Sequence, residues 1–229
     1  MENIFQESIF NGKCLASYQI HLWNVLKIVD HVENLSLWEV SNVVLVDRLQ
    51  GIGFENLAKI FNLRPSRHEH LTKLISALVH FYDADKRCFL FNGLDFFFGL
   101  EDILKISGLP IDGKSVIGQD GKDEKFDEKY LGVTKEYLGV TNGKGIDLKT
   151  GGICLRSLGR KYGNSDCLNS QYIRVYVLYI IVSVIAPRTK FAVPGYFLAL
   201  LDDVDKIEDY AWGAAMLAYL HKGLESAKK

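Results

Sequence analysis

The stretch from Gly108 to Ser115 has the residue types of a phosphate-binding loop. Its sequence, GLPIDGKS, matches the pattern G-x-x-x-x-G-K-[ST]. In that pattern backbone amides hold the phosphates of a nucleotide, the lysine reaches the outer phosphates and the hydroxyl residue binds magnesium. The pattern alone makes Lys114 and Ser115 candidate residues of a nucleotide hydrolase. Asp202, which follows an apolar run, is a candidate second magnesium ligand.

The residues on either side of this stretch favour a different interpretation. A phosphate-binding loop follows a hydrophobic strand and opens a helix, so that amides and the helix dipole point at the phosphates. Here Leu100–Ser107 predicts a short helix, Gly108 supplies a left-handed helix end, and Pro110 prevents continuation. The stretch after Ser115 has no sustained apolar face. We interpret the motif as a helix end and a turn, with nucleotide hydrolysis as an alternative.

Two other groups of polar residues, an acidic group near position 205 and the pair His68 and His70, have the composition of a metal site. Carboxylates before and within the first turn of a helix are also what the helix dipole favours. His68 and His70 are one residue apart at a predicted helix start, so they point in different directions, and no cysteine lies near them at metal spacing. We expect no metal, no cofactor and no catalytic set. The acidic group comprises Asp202, Asp203, Asp205, Glu208 and Asp209.

Basic residues near two tyrosines suggest a second alternative function. Tyr162 and Tyr172 are candidate stacking surfaces, and positive charge beside aromatic rings suits single-stranded nucleic acid. The formal net charge of −1 argues against a protein that coats nucleic acid, because affinity comes largely from neutralised phosphates. Direct nucleic-acid binding therefore stays an alternative. The candidate contacts are Arg156, Arg160, Lys161, Arg188 and Lys190.

Composition and length are those of a globular protein with a sizeable core. The chain has 229 residues, of which 48% are hydrophobic. Its four cysteines never form a C-x-x-C pair, so neither a disulfide framework nor a thiolate zinc site is predicted. We see no secretory signal at the N-terminus. The longest apolar run, Val175–Ala186, is shorter than the roughly 20 residues that cross a bilayer, and it predicts a buried central helix.

Periodicity predicts a mainly α (α+β) fold, a single multi-helix domain with one β-hairpin near residues 87–98. Asn92-Gly93 suits a tight two-residue turn, which would set Phe91 opposite Leu94 and Phe89 opposite Phe96. An isolated hairpin is marginal in water, so we expect it to lie against the helices. Residues 119–129 are densely charged and predict an exposed flexible loop. Further helices are predicted over Tyr18–Val32, from Ser36, and over Leu71–Tyr82, Ile153–Tyr162, Ser170–Ala186 and Lys206–Gly223.

Four blocks of the chain, in the same order, resemble the plant mobile domain, a transposon-associated domain also called aminotransferase-like. The resemblance covers about residues 51–229, and Gly99–Gly118 is its most specific block. The chain departs from the family pattern at Gly99, where threonine is usual, and at Ser115, where proline is frequent. The blocks are Leu71–Phe91, Gly99–Gly118, Tyr172–Pro187 and Leu198–Leu224. The residues we assign to the family motif or to structural turns are Asn92, Gly93, Gly108, Leu109, Pro110, Gly113, Tyr210, Trp212 and Gly213.

The resemblance implies a nuclear protein that acts through other proteins. Members occur as host proteins and inside transposable elements, and the host proteins are implicated in transcriptional control, silencing of mobile elements and plant development. Some members work with a phosphatase-like partner. The resemblance supplies no catalytic residues, and nothing in this sequence marks a Schiff-base lysine for aminotransferase chemistry. We therefore expect a non-enzymatic interaction domain.

Overall fold

A computed structural model describes residues 43–62, 69–116, 138, 146–147, 152–162, 169–187, 192–193 and 196–228. The described helices are α1 Val43–Gly51, α2 Glu55–Asn62, α3 Glu69–Phe81, α4 Leu100–Ser107, α5 Leu155–Tyr162, α6 Ser170–Ile180, α7 Tyr196–Leu200 and α8 Trp212–Lys228. A π-helical segment, Ile181–Ile185, follows α6, and a 3₁₀ helix, Val204–Asp209, precedes α8. The described strands are β1 Tyr82–Asp83, β2 Cys88–Phe91, β3 Leu94–Phe97, β4 Ile146–Asp147, β5 Gly152–Cys154 and β6 Ala192–Val193. The predicted mainly α fold is confirmed.

Contacts divide the chain into two compact units. One unit takes its described residues from 69–99 and 220–228, and the other from 43–62 and 100–219. The single-domain organisation stays a prediction. The predicted helices over Tyr18–Val32 and from Ser36, and the charged loop over 119–129, lie outside the described residues. Within the described residues no helix is long and apolar enough to cross a membrane.

The first unit contains a three-stranded antiparallel sheet in the order β1-β2-β3. Its β2–β3 hairpin has the predicted register, with Phe91 opposite Leu94 and Phe89 opposite Phe96. Asn92 and Gly93 have φ values of 52° and 78°, the positive angles that a tight two-residue turn requires. The sequence prediction of this hairpin is therefore confirmed. The buried residues of this unit include Ala77, Val79, Tyr82 and Cys88.

The second unit is built around α6 and its π-helical continuation. The Asn169 side chain accepts a hydrogen bond from the Tyr172 amide at 2.9 Å, which caps the start of α6. The Ala186 amide donates to the carbonyl of Ile181 at 2.7 Å, the five-residue spacing of a π-helix. Almost every side chain from Tyr172 to Ala186 is buried, because a helix that is apolar all round belongs in a core. The predicted buried central helix is confirmed.

Three predicted helix boundaries are wrong. Tyr82 lies in β1 rather than in the preceding helix, because its backbone pairs with Phe89. Ile153 and Cys154 form strand β5, which pairs with both β4 and β6. The helix predicted over Lys206–Gly223 is two helices separated at Tyr210 and Ala211. In each case backbone pairing with residues outside the predicted helix overrides the local helical pattern.

Candidate functional site

The turn that resembles a phosphate-binding loop follows a helix. The Gly108 amide donates to the carbonyl of Leu104 at 2.8 Å, and its φ of 71° is the left-handed conformation that ends α4. Leu109 is fully buried in the core of the second unit, and its amide donates to the Ser107 hydroxyl at 3.2 Å. A strand, which a phosphate-binding loop needs at this position, is absent. The predicted helix end is therefore confirmed.

Lys114 connects this turn to the segment before α8. Its amide donates to the carbonyl of Asp209 at 2.6 Å, and its own carbonyl accepts from the Ala211 amide at 2.9 Å. These two bonds form a short parallel β-bridge between Lys114 and Tyr210. The Lys114 Nζ lies 2.8 Å from Oδ2 of Asp209 and 5.7 Å from the centroid of the Tyr210 ring.

The start of α8 is hydrogen-bonded to the turn at Pro110. The Gly213 amide donates to the carbonyl of Pro110 at 2.7 Å. Trp212 is fully buried, its Nε1 donates to the carbonyl of Ile207 at 2.7 Å, and its ring makes an edge contact with Phe54. The family-motif residues from Gly108 to Gly113 and from Tyr210 to Gly213 thus belong to one junction.

Several polar groups of the turn already have protein partners. The amides of Leu109, Lys114 and Gly213 donate within the protein, so they do not form a ring of free donors. The hydrogen bond to Asp209 raises the pKa of Lys114, so its ammonium stays charged and its charge is offset by the carboxylate. This geometry joins two chain segments through the backbone.

The acidic residues near position 205 serve as caps and ion-pair partners. The Asp203 carboxylate accepts from the Asp205 amide at 3.1 Å and pairs with Lys206 at 2.8 Å. The Lys206 hydrogen bond lowers the pKa of Asp203 most, followed by the Asp205 amide. Asp205 pairs with Arg48 at 3.2 Å. Among the described residues, no group of three or more His, Cys, Asp or Glu side chains has a metal-binding arrangement.

The candidate nucleic-acid contacts are only partly described. The side chains of Arg156, Arg160, Arg188 and Lys190, and those of His68 and His70, lie outside the described residues. Lys161 is exposed, with its Nζ 4.9 Å from the Tyr162 ring centroid. Tyr162 and Tyr172 are buried, and the Tyr162 hydroxyl donates to the carbonyl of Leu138 at 2.7 Å. The prediction that these two rings offer stacking surfaces is wrong, because the core covers them.

An exposed apolar surface lies on β3 in the first unit. Leu94, Phe96 and Phe97 have 62%, 50% and 68% of their area exposed, and we call these three residues the hairpin patch. Phe91 on β2 is the cross-strand partner of Leu94, with its ring 5.5 Å from Phe96, and it also packs on Phe81. The expectation that the hairpin packs on helices therefore holds for β2 but not for the side chains of β3.

Sequence reasoning missed the hairpin patch and one polar contact in the same unit. A run of aromatic residues in a strand ordinarily indicates burial on both faces, so its composition concealed the exposure. The missed contact joins the Tyr82 hydroxyl to Nδ1 of His221 at 2.8 Å. Because 139 positions separate the two residues, no local sequence pattern points to it.

Comparisons with a family model and with known proteins agree on one family. Residues 25–229 match the model of a domain of unknown function, DUF8566. Three Arabidopsis thaliana proteins are similar: MAIN-LIKE 2, 31% identical over 88% of this chain; MAINTENANCE OF MERISTEMS, 29% over 90%; and MAIN-LIKE 1, 27% over 89%. The matched region spans only 29%, 42% and 39% of those relatives. No solved structure matches the chain. The chain belongs to the DUF8566 family and carries the plant mobile domain of the MAINTENANCE OF MERISTEMS and MAIN-LIKE proteins.

Proposed function

We propose that this chain is a non-enzymatic interaction domain of a nuclear regulatory complex in plant development, and that a protein partner docks on the hairpin patch. The observation that carries the proposal is the exposure of Leu94, Phe96 and Phe97 on a paired strand. Leu94 and Phe96 lie on one face of β3 and Phe97 on the other. Exposed apolar side chains grouped on a surface mark interaction sites, because water is a poor environment for them. An extended apolar segment of a partner, lying along a sheet, is a recurring recognition mode of this kind.

The charges around the patch favour a protein partner over nucleic acid. Asp95 is the one ionisable residue of β3, and it pairs with Lys86 at 3.0 Å. Arg87 in the β1–β2 turn pairs with Glu225 at 3.6 Å. Binding to phosphates depends on cations that exchange counterions, and both of these cations already have carboxylate partners. A locally neutral, aromatic surface suits apolar side chains.

The biological setting of the proposal comes from the family. A relative is named for the maintenance of meristems, which supports a role in development. Nuclear location, transcriptional regulation, silencing of transposable elements and a phosphatase-like partner follow from the resemblance to plant mobile domain proteins. The relatives are more than twice as long as the matched region, so the activities of the whole proteins are part of the proposal.

Affinity capture from plant nuclei tests the proposal. The bait is the full chain with a fluorescent tag, which also reports its location in the cell. Bound proteins are compared between the wild type and a double variant, Phe96→Ser with Phe97→Ser. The matched control is Ile106→Ser, because Ile106 is a similarly exposed apolar residue, 58% exposed, outside the patch. Thermal melts of all three show whether they stay folded, as exposed substitutions usually allow.

The proposal predicts a set of nuclear proteins bound by the wild type and by Ile106→Ser and lost from the double variant. A phosphatase-like protein in that set would match the family expectation. Equal capture by the double variant, or no specific capture by a folded wild type, would contradict docking at the patch. Titration of the chain with single- and double-stranded oligonucleotides at several salt concentrations tests the nucleic-acid alternative, whose signature is affinity that falls with salt.

A further inference from the structure

Strand β3 lies at one edge of the three-stranded sheet. Within the described residues it pairs with β2 on one side only, and each of its four residues is exposed. Edge strands are commonly protected by lysine, by proline or by a bulge, because their unpaired backbone groups can bind another strand. The sequence of β3 is LDFF and its register with β2 is continuous, so it has none of these three protections.

The hairpin turn determines which backbone groups of β3 face the edge. In a two-residue turn such as that at 92–93, the two flanking residues exchange hydrogen bonds, and bonded and non-bonded pairs then alternate along the ladder. Leu94 and Phe96 therefore point their amides and carbonyls at β2. Asp95 and Phe97 point theirs away from β2, and among the described residues these outward backbone groups have no hydrogen-bond partner.

We propose that the partner of the hairpin patch adds a strand to β3, so that an extended segment of another protein hydrogen-bonds to the backbone of Asp95 and Phe97. This inference rests on the proposed function and specifies how the partner is bound. A strand paired to the edge has side chains on both faces of the sheet, so it contacts Leu94 and Phe96 on one face and Phe97 on the other. Apolar exposure on both faces of β3 has this physical explanation.

The side chains of β3 define the segment that fits. In an antiparallel pair, one residue of the partner lies directly opposite each residue of the strand. The residues opposite Leu94, Phe96 and Phe97 are expected to be apolar, and the residue opposite the Asp95 carboxylate is expected to be polar or basic. In the direction of the partner chain, the pattern is apolar, apolar, polar or basic, apolar.

Area and charge both argue against a second copy of this chain as the occupant. Leu94, Phe96 and Phe97 expose on the order of 300–400 Å² in total, whereas each partner in a standard stable interface buries about 800 Å². Two copies paired antiparallel over most of β3 would also set Asp95 opposite either Asp95 or Phe97 of the other copy. A charge would then face a like charge or an aromatic ring. A short segment of another protein, bound reversibly, fits better.

Selection of peptides and amide exchange of the full chain test the proposal. Random short peptides displayed on phage are selected on the wild type, and a selected peptide is synthesised. Nuclear magnetic resonance then measures solvent exchange of single backbone amides with and without the peptide. We expect the apolar, apolar, polar or basic, apolar pattern to be enriched. The peptide should protect the amides of Asp95 and Phe97, whereas those of Leu94 and Phe96 should change little because β2 already binds them.

A backbone variant with a matched control tests the same bonds. Asp95→Pro removes an outward N–H, which an edge strand tolerates when that N–H faces solvent. We expect the peptide to bind this variant at least about tenfold more weakly than the wild type. Asp95→Ala also loses the ion pair with Lys86 but keeps the N–H, so it should retain most of the affinity. If Asp95→Pro does not fold, the amide protection pattern of the wild type decides.

The outcomes separate strand addition from the proposed function. Peptide binding that is lost in Phe96→Ser with Phe97→Ser, but kept in folded Asp95→Pro without protection of the Asp95 and Phe97 amides, would leave the hairpin patch as a docking surface and overturn strand addition. Failure of the folded wild type to select any peptide would also overturn it, while capture from nuclei tests the proposed function separately. Protection that rises with chain concentration in the absence of peptide would identify a second copy as the occupant and overturn the proposal.

Discussion

Lys114 and Asp209 are joined twice, once through backbone and once through side chains. The Lys114 amide donates to the Asp209 carbonyl at 2.6 Å, and the ammonium lies 2.8 Å from the carboxylate. The backbone bond fixes the path of the turn, whereas the ion pair is solvent-exposed on both sides. Because exposed ion pairs contribute little to stability, the glycines and amides of the turn carry its structural role and the lysine side chain does not.

Replacement of Gly113 by alanine should destabilise the second unit by at least about 2 kcal/mol. Gly113 has a φ of 129°, and a Cβ there would overlap the carbonyl oxygen of Asp209. Chemical denaturation measures the loss. The matched control is Gly223→Ala, where a Cβ meets no atom within 4 Å and the helix should gain about 0.5–1 kcal/mol. Equal stability of Gly113→Ala and wild type would contradict the described path of the turn.

Removal of the Lys114 ammonium should leave both folding and nucleotide response unchanged. In Lys114→Met the exposed pair with Asp209 is lost, and the backbone bonds of residue 114 remain. Thermal melts with and without magnesium and adenosine or guanosine triphosphate are expected to coincide for wild type and variant. A nucleotide-dependent stabilisation of the wild type that disappears in Lys114→Met would restore the hydrolase alternative. Ser115→Ala provides a second check on the same hypothesis.

Trp212→Phe should cost about 0.5–1.5 kcal/mol, because it removes the shorter of two hydrogen bonds to the Ile207 carbonyl and leaves only the Tyr210 amide at 3.4 Å. In the wild type that carbonyl accepts from Nε1 at 2.7 Å. Urea denaturation gives the free energy of unfolding. Tyr219→Phe is the comparison, since its hydroxyl contacts Tyr196 at 3.3 Å in a partly buried position and should cost less. A larger loss in Tyr219→Phe than in Trp212→Phe would refute the assigned role of the indole.

Replacement of Arg174 by methionine or by lysine should lower the free energy of unfolding. Its Nε donates to the carbonyl of Leu201 at 2.8 Å, and its Nη2 donates to that of Asp202 at 2.6 Å. Loss of charge-assisted bonds costs about 1.5–3 kcal/mol each, so Arg174→Met should be strongly destabilised. Arg174→Lys should recover only part of the loss, because an ammonium lacks the fork that reaches two carbonyls. Full recovery by lysine in a denaturation series would count against the paired contact.

Local features of the fold follow from the sequence, and the long-range junction does not. The α4 helix and the Asn92-Gly93 hairpin depend on periodicity and on two positive-φ positions, which sequence records directly. The interruption at Tyr210 depends on a strand-like pairing with Lys114, 96 positions away. No local signal encodes such a pairing. The residues from Lys206 to Gly223 do have helical propensity, but the prediction of one continuous helix is wrong.

The candidate site can also be predicted from the sequence only in its local features. The helix end at Gly108 can be predicted from the neighbouring residues, and it favours a structural turn over a phosphate-binding loop. The exposure of Phe96 and Phe97 cannot be predicted from the sequence, because a strand with aromatic residues can face either a core or solvent. The contact of Tyr82 with His221 depends on the position of the last helix in the folded chain. The sequence around either residue does not predict that position.

Three glycines of the junction occupy positions where this chain has no room for a side chain. A Cβ at Gly108 would overlap the Asn56 side chain, one at Gly113 the Asp209 carbonyl, and one at Gly213 would lie 2.8 Å from Ile111 Cγ2 and 3.1 Å from the Pro110 carbonyl. Where the obstacle is backbone, no compensating side-chain substitution can make room. Any side chain at Gly113 would therefore disturb the junction, whereas the Lys114 side chain is exposed and its junction bonds come from the backbone. The packing of the junction by itself accounts for the glycine of the GKS triplet.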